Sequence, residues 1–324
     1  MRPLVGAWYF SGWWRAFGAP HYFNGATDWR LKFPLREPLV GWFDDLLAIM
    51  AAQIGQAADA GLDFLAYDWY ATPRVEHFPG TIANSNNGLN FFLTAPNKSR
   101  LKFCLNYVCS PNYIITDPGV WSTTCDLWAS YFADPQYLRV GGKPVLIIDS
   151  AADFHSQLGA NAKVFLQVLR DRAGLGNDLL LGGTLSNPAD VPQALADGFD
   201  FVCGDYASVG HLPTETVAID YGSLLTTIPP YWDSFAATGA KYVPVVCAGF
   251  DRRPLDIPPE GYFDAVTPEK YRELLLAAKK FIAGSPNIGL VLNYAWNEIG
   301  EGGMLIPTKA NGDELVRQVK EVFG

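Results

Sequence analysis

The chain has 324 residues, of which 49% are hydrophobic and 18% are charged, and its formal net charge is −9. This much apolar material can form a large buried core, which excludes intrinsic disorder. The negative charge argues against a nucleic-acid-binding protein, because such proteins normally present a basic face. No apolar run is long enough for a membrane span and no signal peptide is visible, so we expect a cytoplasmic protein unless a leader was removed.

The cysteines and histidines indicate neither a disulfide framework nor a metal site. Five cysteines are an odd number without metal-ligand spacing, and Cys104, Cys203 and Cys247 fall within apolar runs. We therefore expect free, buried thiols. The four histidines are scattered and are never paired at ligand spacing, so no metal and no cofactor is predicted.

Apolar runs typical of buried strands alternate with helical patterns along the whole chain. Strands are predicted at residues 4–10, 62–70, 101–108, 144–149, 178–184, 199–205, 242–247 and 288–295. Helices are predicted at about 44–61, 120–132, 164–169, after Pro188, 221–237, 271–282 and 313–323.

Eight strand–helix units without a linker predict one domain over residues 1–324. Near-continuous apolar strands separated by helices indicate a parallel sheet that is covered on both faces. Eight such units close most naturally as an α/β (β/α)8 TIM barrel. A doubly wound sheet is the alternative, but it normally carries a glycine-rich phosphate turn after its first strand, where this chain has Ser11-Gly-Trp-Trp14. The long loop at residues 11–41 is expected to be functional, because ordinary connections are shorter.

In such a barrel the active site lies at the carboxyl ends of the strands. The predicted strand ends and the loops that follow them supply these substrate-binding candidates: Tyr9, Trp13, Asp68, Trp69, Tyr70, Asn106, Asp205, Tyr206, Trp296 and Asn297. Asp149 is interpreted either as a further cleft acid or as the cap of the next helix. These strand ends and loops carry few cations apart from Arg252 and Arg253, which are expected to form local ion pairs with Asp251. This inventory favours a neutral glycan over a phosphorylated substrate.

Two glutamates, Glu298 and Glu301, lie three residues apart in the glycine-rich loop that follows the last strand. Two carboxyl groups facing one cleft are the minimum apparatus for breaking a glycosidic bond. The alternative is that either glutamate caps a helix or pairs with Arg252 or Arg253. Because the pair stands in a Trp-Asn-Glu-x-Gly-Glu-Gly cluster, we predict that Glu298 and Glu301 are the catalytic residues.

Residues 293–307, which read Asn-Tyr-Ala-Trp-Asn-Glu-Ile-Gly-Glu-Gly-Gly-Met-Leu-Ile-Pro, resemble the last-strand signature of glycoside hydrolase family 99 and its WbsX-type relatives from bacterial polysaccharide gene clusters. Residues 131–145, with their Gly-Lys-Pro, and residues 63–70 are also similar to that group. The resemblance implies a (β/α)8 barrel of retaining glycosidases that act on α-linked glycans, typically α-mannosides.

The same resemblance implies unequal roles for the two glutamates. Glu301 would be the general acid/base, and Glu298 would be the base that helps the substrate's own 2-hydroxyl to attack, through a 1,2-anhydro sugar. In that group a bulky pair of residues usually stands between the two acids, where this chain has Ile299 and Gly300. The resemblance therefore does not identify the sugar that is cleaved. The expected partner is an oligo- or polysaccharide, with no nucleic acid and no membrane span. A non-catalytic glycan-binding barrel and a polysaccharide-cluster transglycosylase are the alternatives.

Overall fold

A computed structural model of the chain describes residues 2–15, 19–71, 85–204, 212–255, 260–264 and 266–324. Its central sheet consists of eight strands in chain order: β1 Leu4–Tyr9, β2 Phe64–Trp69, β3 Lys102–Val108, β4 Lys143–Asp149, β5 Leu180–Leu185, β6 Phe201–Gly204, β7 in two segments, Tyr242–Val243 and Val245–Cys247, and β8 Leu290–Tyr294. These strands are almost entirely buried, as their apolar sequences require.

The sheet closes into a barrel. Each strand from β1 to β6 pairs in parallel with the next, and β1 also pairs in parallel with β8. The first segment of β7 pairs with β6, and its second segment pairs with β8. Pro244 divides the segments because proline lacks the N–H needed for a sheet ladder. The Pro244 carbonyl still accepts a hydrogen bond from Leu292 at 3.1 Å.

Helices surround this barrel, as expected for parallel strands that need crossover connections. Their bounds are α1 Leu47–Asp59, α2 Asn87–Thr94, α3 Pro118–Phe132, α4 Ala151–Leu158, α5 Asn161–Arg172, α6 Val191–Asp197, α7 Leu224–Ala236, α8 Pro268–Gly284 and α9 Glu314–Phe323. Capping follows the sequence: Asp117 accepts from the backbone of Val120 at the start of α3, and Thr267 accepts from Lys270 at the start of α8. Apolar faces at helical spacing then pack on the strands.

The predicted (β/α)8 class is therefore confirmed, and the element bounds agree to within a few residues. Two helices of eight residues each, α2 and α4, were not predicted. All five cysteines are buried, as expected. Among the described residues, no helix is long and apolar enough to cross a bilayer.

The long loop after β1 builds a second, smaller apolar cluster. Its buried members are Trp13, Ala19, Tyr22, Trp29 and Ile299. Four of these belong to the loop, whereas Ile299 lies between the two predicted catalytic glutamates. The described part of the loop at residues 11–41 thus packs directly on the segment that follows β8.

Candidate active site

Alternation along the strands decides which side chains face the barrel mouth, because successive residues of a strand point to opposite faces. On β2, Asp68 faces a cleft at the mouth, whereas its neighbours Tyr67 and Trp69 point outward to the helices. On β1, Trp8 faces the cleft and Tyr9 points outward. On β8, Tyr294 faces the cleft.

The cleft has a volume of about 190 Å³. Its lining combines four carboxyl groups with aromatic and amide side chains: Trp8, Asp68, Tyr70, Asn106, Val108, Asp149, Tyr294, Glu298 and Glu301. All of them come from the carboxyl ends of β1 to β4 and β8 or from the residues that follow these strands. The structure therefore brings together Asp68, Tyr70, Asn106, Glu298 and Glu301 of the sequence-predicted set.

A short hairpin after β8 carries the two glutamates. Asn297–Glu298 pairs antiparallel with Gly303–Met304, and the intervening turn presents Glu301. Gly302 has a φ of +84°, and a Cβ atom there would lie 2.6 Å from the backbone nitrogen of Asp251. Glycine is therefore required at this position both for the backbone conformation and for the close approach of the loop after β7.

Glu298 is recessed among other acids. Burial raises the pKa of Glu298 well above its usual value, and the negative charges of Glu301 and Asp68 raise it further, while the cation of Arg252 opposes them. Burial and the neighbouring negative charges therefore both disfavour the ionised form of Glu298.

Glu301 lies nearer the solvent, with its side chain 25% exposed, and has two polar neighbours. The hydroxyl of Tyr294 donates a hydrogen bond to its carboxylate. The Arg252 Nε atom lies 3.6 Å from Glu301 Oε1 and 3.2 Å from Glu260 Oε1. The alternative of an arginine partner for one glutamate is thus partly realised, but by an arginine shared with Glu260 beside the cleft.

Asp68 and Asn106 form a hydrogen-bonded pair across β2 and β3. They are register partners, and the Asn106 amide donates to Asp68 at 2.8 Å. Burial raises the pKa of Asp68 to about 8, the Asn106 hydrogen bond opposes the rise, and the charges of Asp149 and Glu301 add to it. The carbonyl oxygen of the Asn106 side chain is buried without a protein partner and is free to accept a hydrogen bond from a ligand.

Asp149 ends β4 and lines the cleft. The helix-capping alternative for this residue is wrong, because Ser150 caps α4 by accepting a hydrogen bond from the backbone of Asp153 at 3.0 Å. Asp149 is therefore the fourth acid of the site. The sequence indicated it as a candidate by its position after an apolar strand.

Five predicted substrate-binding side chains belong to the framework and do not line this cleft: Tyr9, Trp13, Trp69, Trp296 and Asn297. Tyr9 donates to Asp44, and Trp69 packs at right angles to Trp128 of α3. The indole N–H of Trp296 donates to Gln53 at 2.9 Å. Tyr9 and Trp69 stand at the predicted strand ends but on the outward side of the alternation. Trp13 and Trp69 are each only 3% exposed, so the prediction that they bind substrate is corrected.

The Trp13 and Asn297 side chains connect the loop after β1 to the catalytic hairpin. The Trp13 indole donates to the Asn297 carbonyl at 2.7 Å, and the Asn297 amide bonds both backbone groups of Phe10 at 2.7 and 2.9 Å. Trp8, Val108 and Tyr294 are cleft residues that sequence reasoning missed. Strict alternation counted from Asn106 would have found Val108, which lies two residues further along the same strand. The predicted candidates Asp205 and Tyr206 lie outside the described residues.

Of the two ion pairs expected with Asp251, that of Arg253 is present, whereas Arg252 lies beside Glu260 and Glu301 instead. Arg253 Nε lies 2.8 Å from Asp251 Oδ1, and Arg36 also pairs with the Asp251 carboxylate. Burial alone would raise the pKa of Asp251, but the hydrogen bond from Arg253 and the charge of Arg36 bring it below its usual value. Within the described ranges, no group of three or more His, Cys, Asp or Glu side chains is arranged to hold a metal ion.

A closed barrel whose mouth gathers carboxyl groups and aromatic rings is an architecture typical of carbohydrate-active proteins. The family model described as "Glycosyltransferase WbsX" matches residues 106–319, so the chain belongs to the WbsX glycosyltransferase family. The resemblance to the family 99 and WbsX group is thereby confirmed. No curated protein sequence matches the chain.

Solved structures share its fold. An endo-alpha-mannosidase of glycoside hydrolase family 99 from Bacteroides thetaiotaomicron is 15% identical, covers 98% of this chain and 95% of its own, and superimposes with a TM-score of 0.66. A "Glycoside hydrolase-like protein" is 16% identical over 99% of this chain and 94% of its own, also with a TM-score of 0.66. At such identities the likeness establishes the barrel fold alone.

Proposed function

We propose that the protein is a glycoside hydrolase that cleaves an α-linked glycan with Glu298 and Glu301 as its catalytic pair. The observation that carries the proposal is that both carboxyl groups line one cleft at the carboxyl end of the barrel, together with two aspartates and three aromatic side chains. The family 99 endo-alpha-mannosidase with the same fold suggests an α-mannoside or a similar polysaccharide as the first class to test.

The chemistry requires one proton donor and one proton acceptor. Glu301 protonates the glycosidic oxygen as the bond from that oxygen to C1 breaks, and Glu298 accepts the proton of the sugar's 2-hydroxyl as O2 bonds to C1. Water then attacks C1 of the resulting 1,2-anhydro sugar, Glu301 takes the water's proton, and Glu298 returns its proton to O2. Two inversions at C1 give retention of configuration.

The environment of Glu298 suits its role as the proton acceptor. The raised pKa of Glu298 makes this carboxylate a stronger acceptor for a hydroxyl proton than an ordinary glutamate. A sugar 2-hydroxyl that donates to Glu298 favours its ionised form, and a glycosidic oxygen that accepts from Glu301 favours its protonated form. These two contacts suit Glu298 to the role of proton acceptor and Glu301 to the role of proton donor.

The direct test is Glu298→Gln and Glu301→Gln on a panel of α-linked oligosaccharides, including α-mannosides. Each change should lower the rate by about 100-fold or more, since general acid–base catalysis contributes about that much. Glu37→Gln is the matched control, because Glu37 pairs with Lys309 at 2.6 Å on the surface and lies outside the cleft. Full hydrolysis of a wild-type substrate by both active-site variants would refute the proposal.

Glycosyl transfer is the second candidate, favoured by the family description. In a transglycosylase the same pair would activate a sugar hydroxyl in place of water. Product analysis with and without an added acceptor sugar separates the two, because a transferase makes a longer glycan and little free sugar. A binding barrel without catalysis predicts glycan binding that survives both Gln substitutions and no released sugar.

A further inference from the structure

Arg36 is a buried cation in the loop after β1, 8% exposed, and it lies against the hairpin that carries the two glutamates. Its Nη1 atom donates to the carbonyl oxygens of Ile299 at 2.9 Å, Gly300 at 3.2 Å and Asp251 at 3.0 Å. Its Nη2 atom pairs with the Asp251 carboxylate. One guanidinium group therefore holds two loops that are far apart in sequence.

The carbonyl groups that Arg36 binds are those of the residues between Glu298 and Glu301. The backbone N–H of Asp251 donates to the Glu301 carbonyl at 2.6 Å, which fixes the same junction from the other side. The next residue along the chain, Arg252, is the cation beside Glu301. The positions of Glu301 and of its cationic neighbour thus depend on one hub, by which we mean the Arg36 guanidinium group and the four groups it binds.

We propose that Arg36 is a positioning residue for the catalytic pair: it fixes the turn at residues 298–301 against the loop at residues 251–253 and thereby sets where Glu301 lies relative to Glu298 and Arg252. The inference rests on the proposed function of the two glutamates. Arg36 itself does not line the cleft, so it acts on the reaction through the backbone.

The chemistry of the side chain explains why arginine is needed here. A planar guanidinium group presents several N–H donors in a fixed fork and can bond several carbonyl groups and a carboxylate at once. A lysine at this position keeps the charge but offers a single ammonium group, which cannot reach both loops in the same geometry. Arg36→Lys therefore separates the geometry of the hub from its charge.

The chain contains a matched control. Arg170 is 6% exposed and makes the same kind of hub far from the cleft, with bonds to the carbonyl oxygens of Gly176, Leu179 and Gly198. It also pairs with the Asp200 carboxylate at 2.8 Å. Arg170→Lys should cost similar stability without touching the hairpin.

Hydrogen exchange with mass spectrometry of the free protein tests the proposal without any substrate. In Arg36→Lys, peptides covering residues 297–304 should exchange about tenfold faster or more, because hydrogen bonds to a charged group are lost. Arg170→Lys should leave these peptides at the wild-type rate. Asp251→Asn, which retains the Arg36 bonds to the carbonyl groups, should raise exchange of the same peptides to a smaller extent. The proposal would be overturned if these peptides exchanged at the wild-type rate in both Arg36→Lys and Asp251→Asn. It would also be overturned if Arg170→Lys accelerated their exchange as much as Arg36→Lys does.

Kinetics adds a readout that a merely structural role would not change. On an α-mannoside that the wild type hydrolyses, Arg36→Lys should lower kcat by about tenfold or more with little change in KM, and should shift the pH profile, because Arg252 moves relative to Glu301. An unchanged kcat and pH profile would overturn the inference. If the wild type hydrolyses no α-linked glycan, the proposed function fails, whereas the exchange experiment still decides whether Arg36 orders the hairpin.

Discussion

Replacing Asp44 by Asn should remove a pH-dependent loss of stability from the loop that supports the active site. Asp44 is 7% exposed, accepts a hydrogen bond from the Tyr9 hydroxyl at 3.2 Å, and donates its backbone N–H to the Trp13 carbonyl at 2.8 Å. Burial is the main cause that raises the pKa of Asp44 from 3.8 to about 7. The charge of Asp45 adds to the rise, and the bond from Tyr9 opposes it.

The sign of the effect follows from where the proton is held. The folded state retains the Asp44 proton to higher pH than the unfolded state, so this group's stabilisation is complete below about pH 4 and is lost as the pH rises to about 7. The full loss corresponds to about 4 kcal/mol, at about 1.4 kcal/mol for each tenfold change in proton affinity. Between about pH 5 and about pH 8.5, the wild type should lose about 3 kcal/mol of this relative to Asp44→Asn.

Urea unfolding, followed by tryptophan fluorescence, gives the free energy of unfolding of both proteins at the two pH values. Subtracting the wild type from the variant cancels every other titrating group. Tyr9→Phe removes the bond that opposes the rise, so it should enlarge the pH dependence. A difference between Asp44→Asn and wild type that stays constant within about 0.5 kcal/mol across this range would refute the reasoning.

Two further predictions concern the reaction and one concerns the framework. An activated aryl glycoside needs no protonation of its leaving group, so it should partly rescue Glu301→Gln but not Glu298→Gln, as rate assays on the two variants would show. A 2-deoxy analogue of a substrate should be hydrolysed at least 100-fold more slowly, since it lacks the nucleophile; equal rates exclude the 2-hydroxyl route. Trp69→Phe should cost about 1–3 kcal/mol of stability at unchanged KM, whereas Trp8→Phe should raise KM; a raised KM in the Trp69 variant would contradict its framework role.

The fold could be predicted because the patterns that indicate its strands and helices each lie within a short stretch of sequence. Apolar strands of the right length alternate with helical patterns, and residues that cap helices stand where the helices begin, as Asp117 and Thr267 do. The eight-residue helices α2 and α4 escaped prediction, whereas the seven-residue α6 was marked by Pro188 before its start. The interruption of β7 at Pro244 follows from the missing N–H of proline.

The candidate site was predictable only in part. The pair Glu298 and Glu301 stood out because two acids among glycines after a buried strand are unusual, and both line the cleft. Trp69 and Tyr9 were selected from the same strand ends but face outward. A shift of one residue along a strand moves a side chain to the other face, and strand ends read from composition are uncertain by about that much.

The sequence by itself determined the barrel class and the glycine-rich loop that carries the two glutamates, since both depend on the order of residues over short stretches. Only the tertiary structure decided that Asp68, Asp149 and Tyr294 share a cleft with that pair, and that Arg36 binds the turn between the glutamates. Closure of the sheet sets those relations, because the register between strands brings together residues that are hundreds of positions apart. No local pattern encodes which buried arginine will meet which backbone carbonyl group.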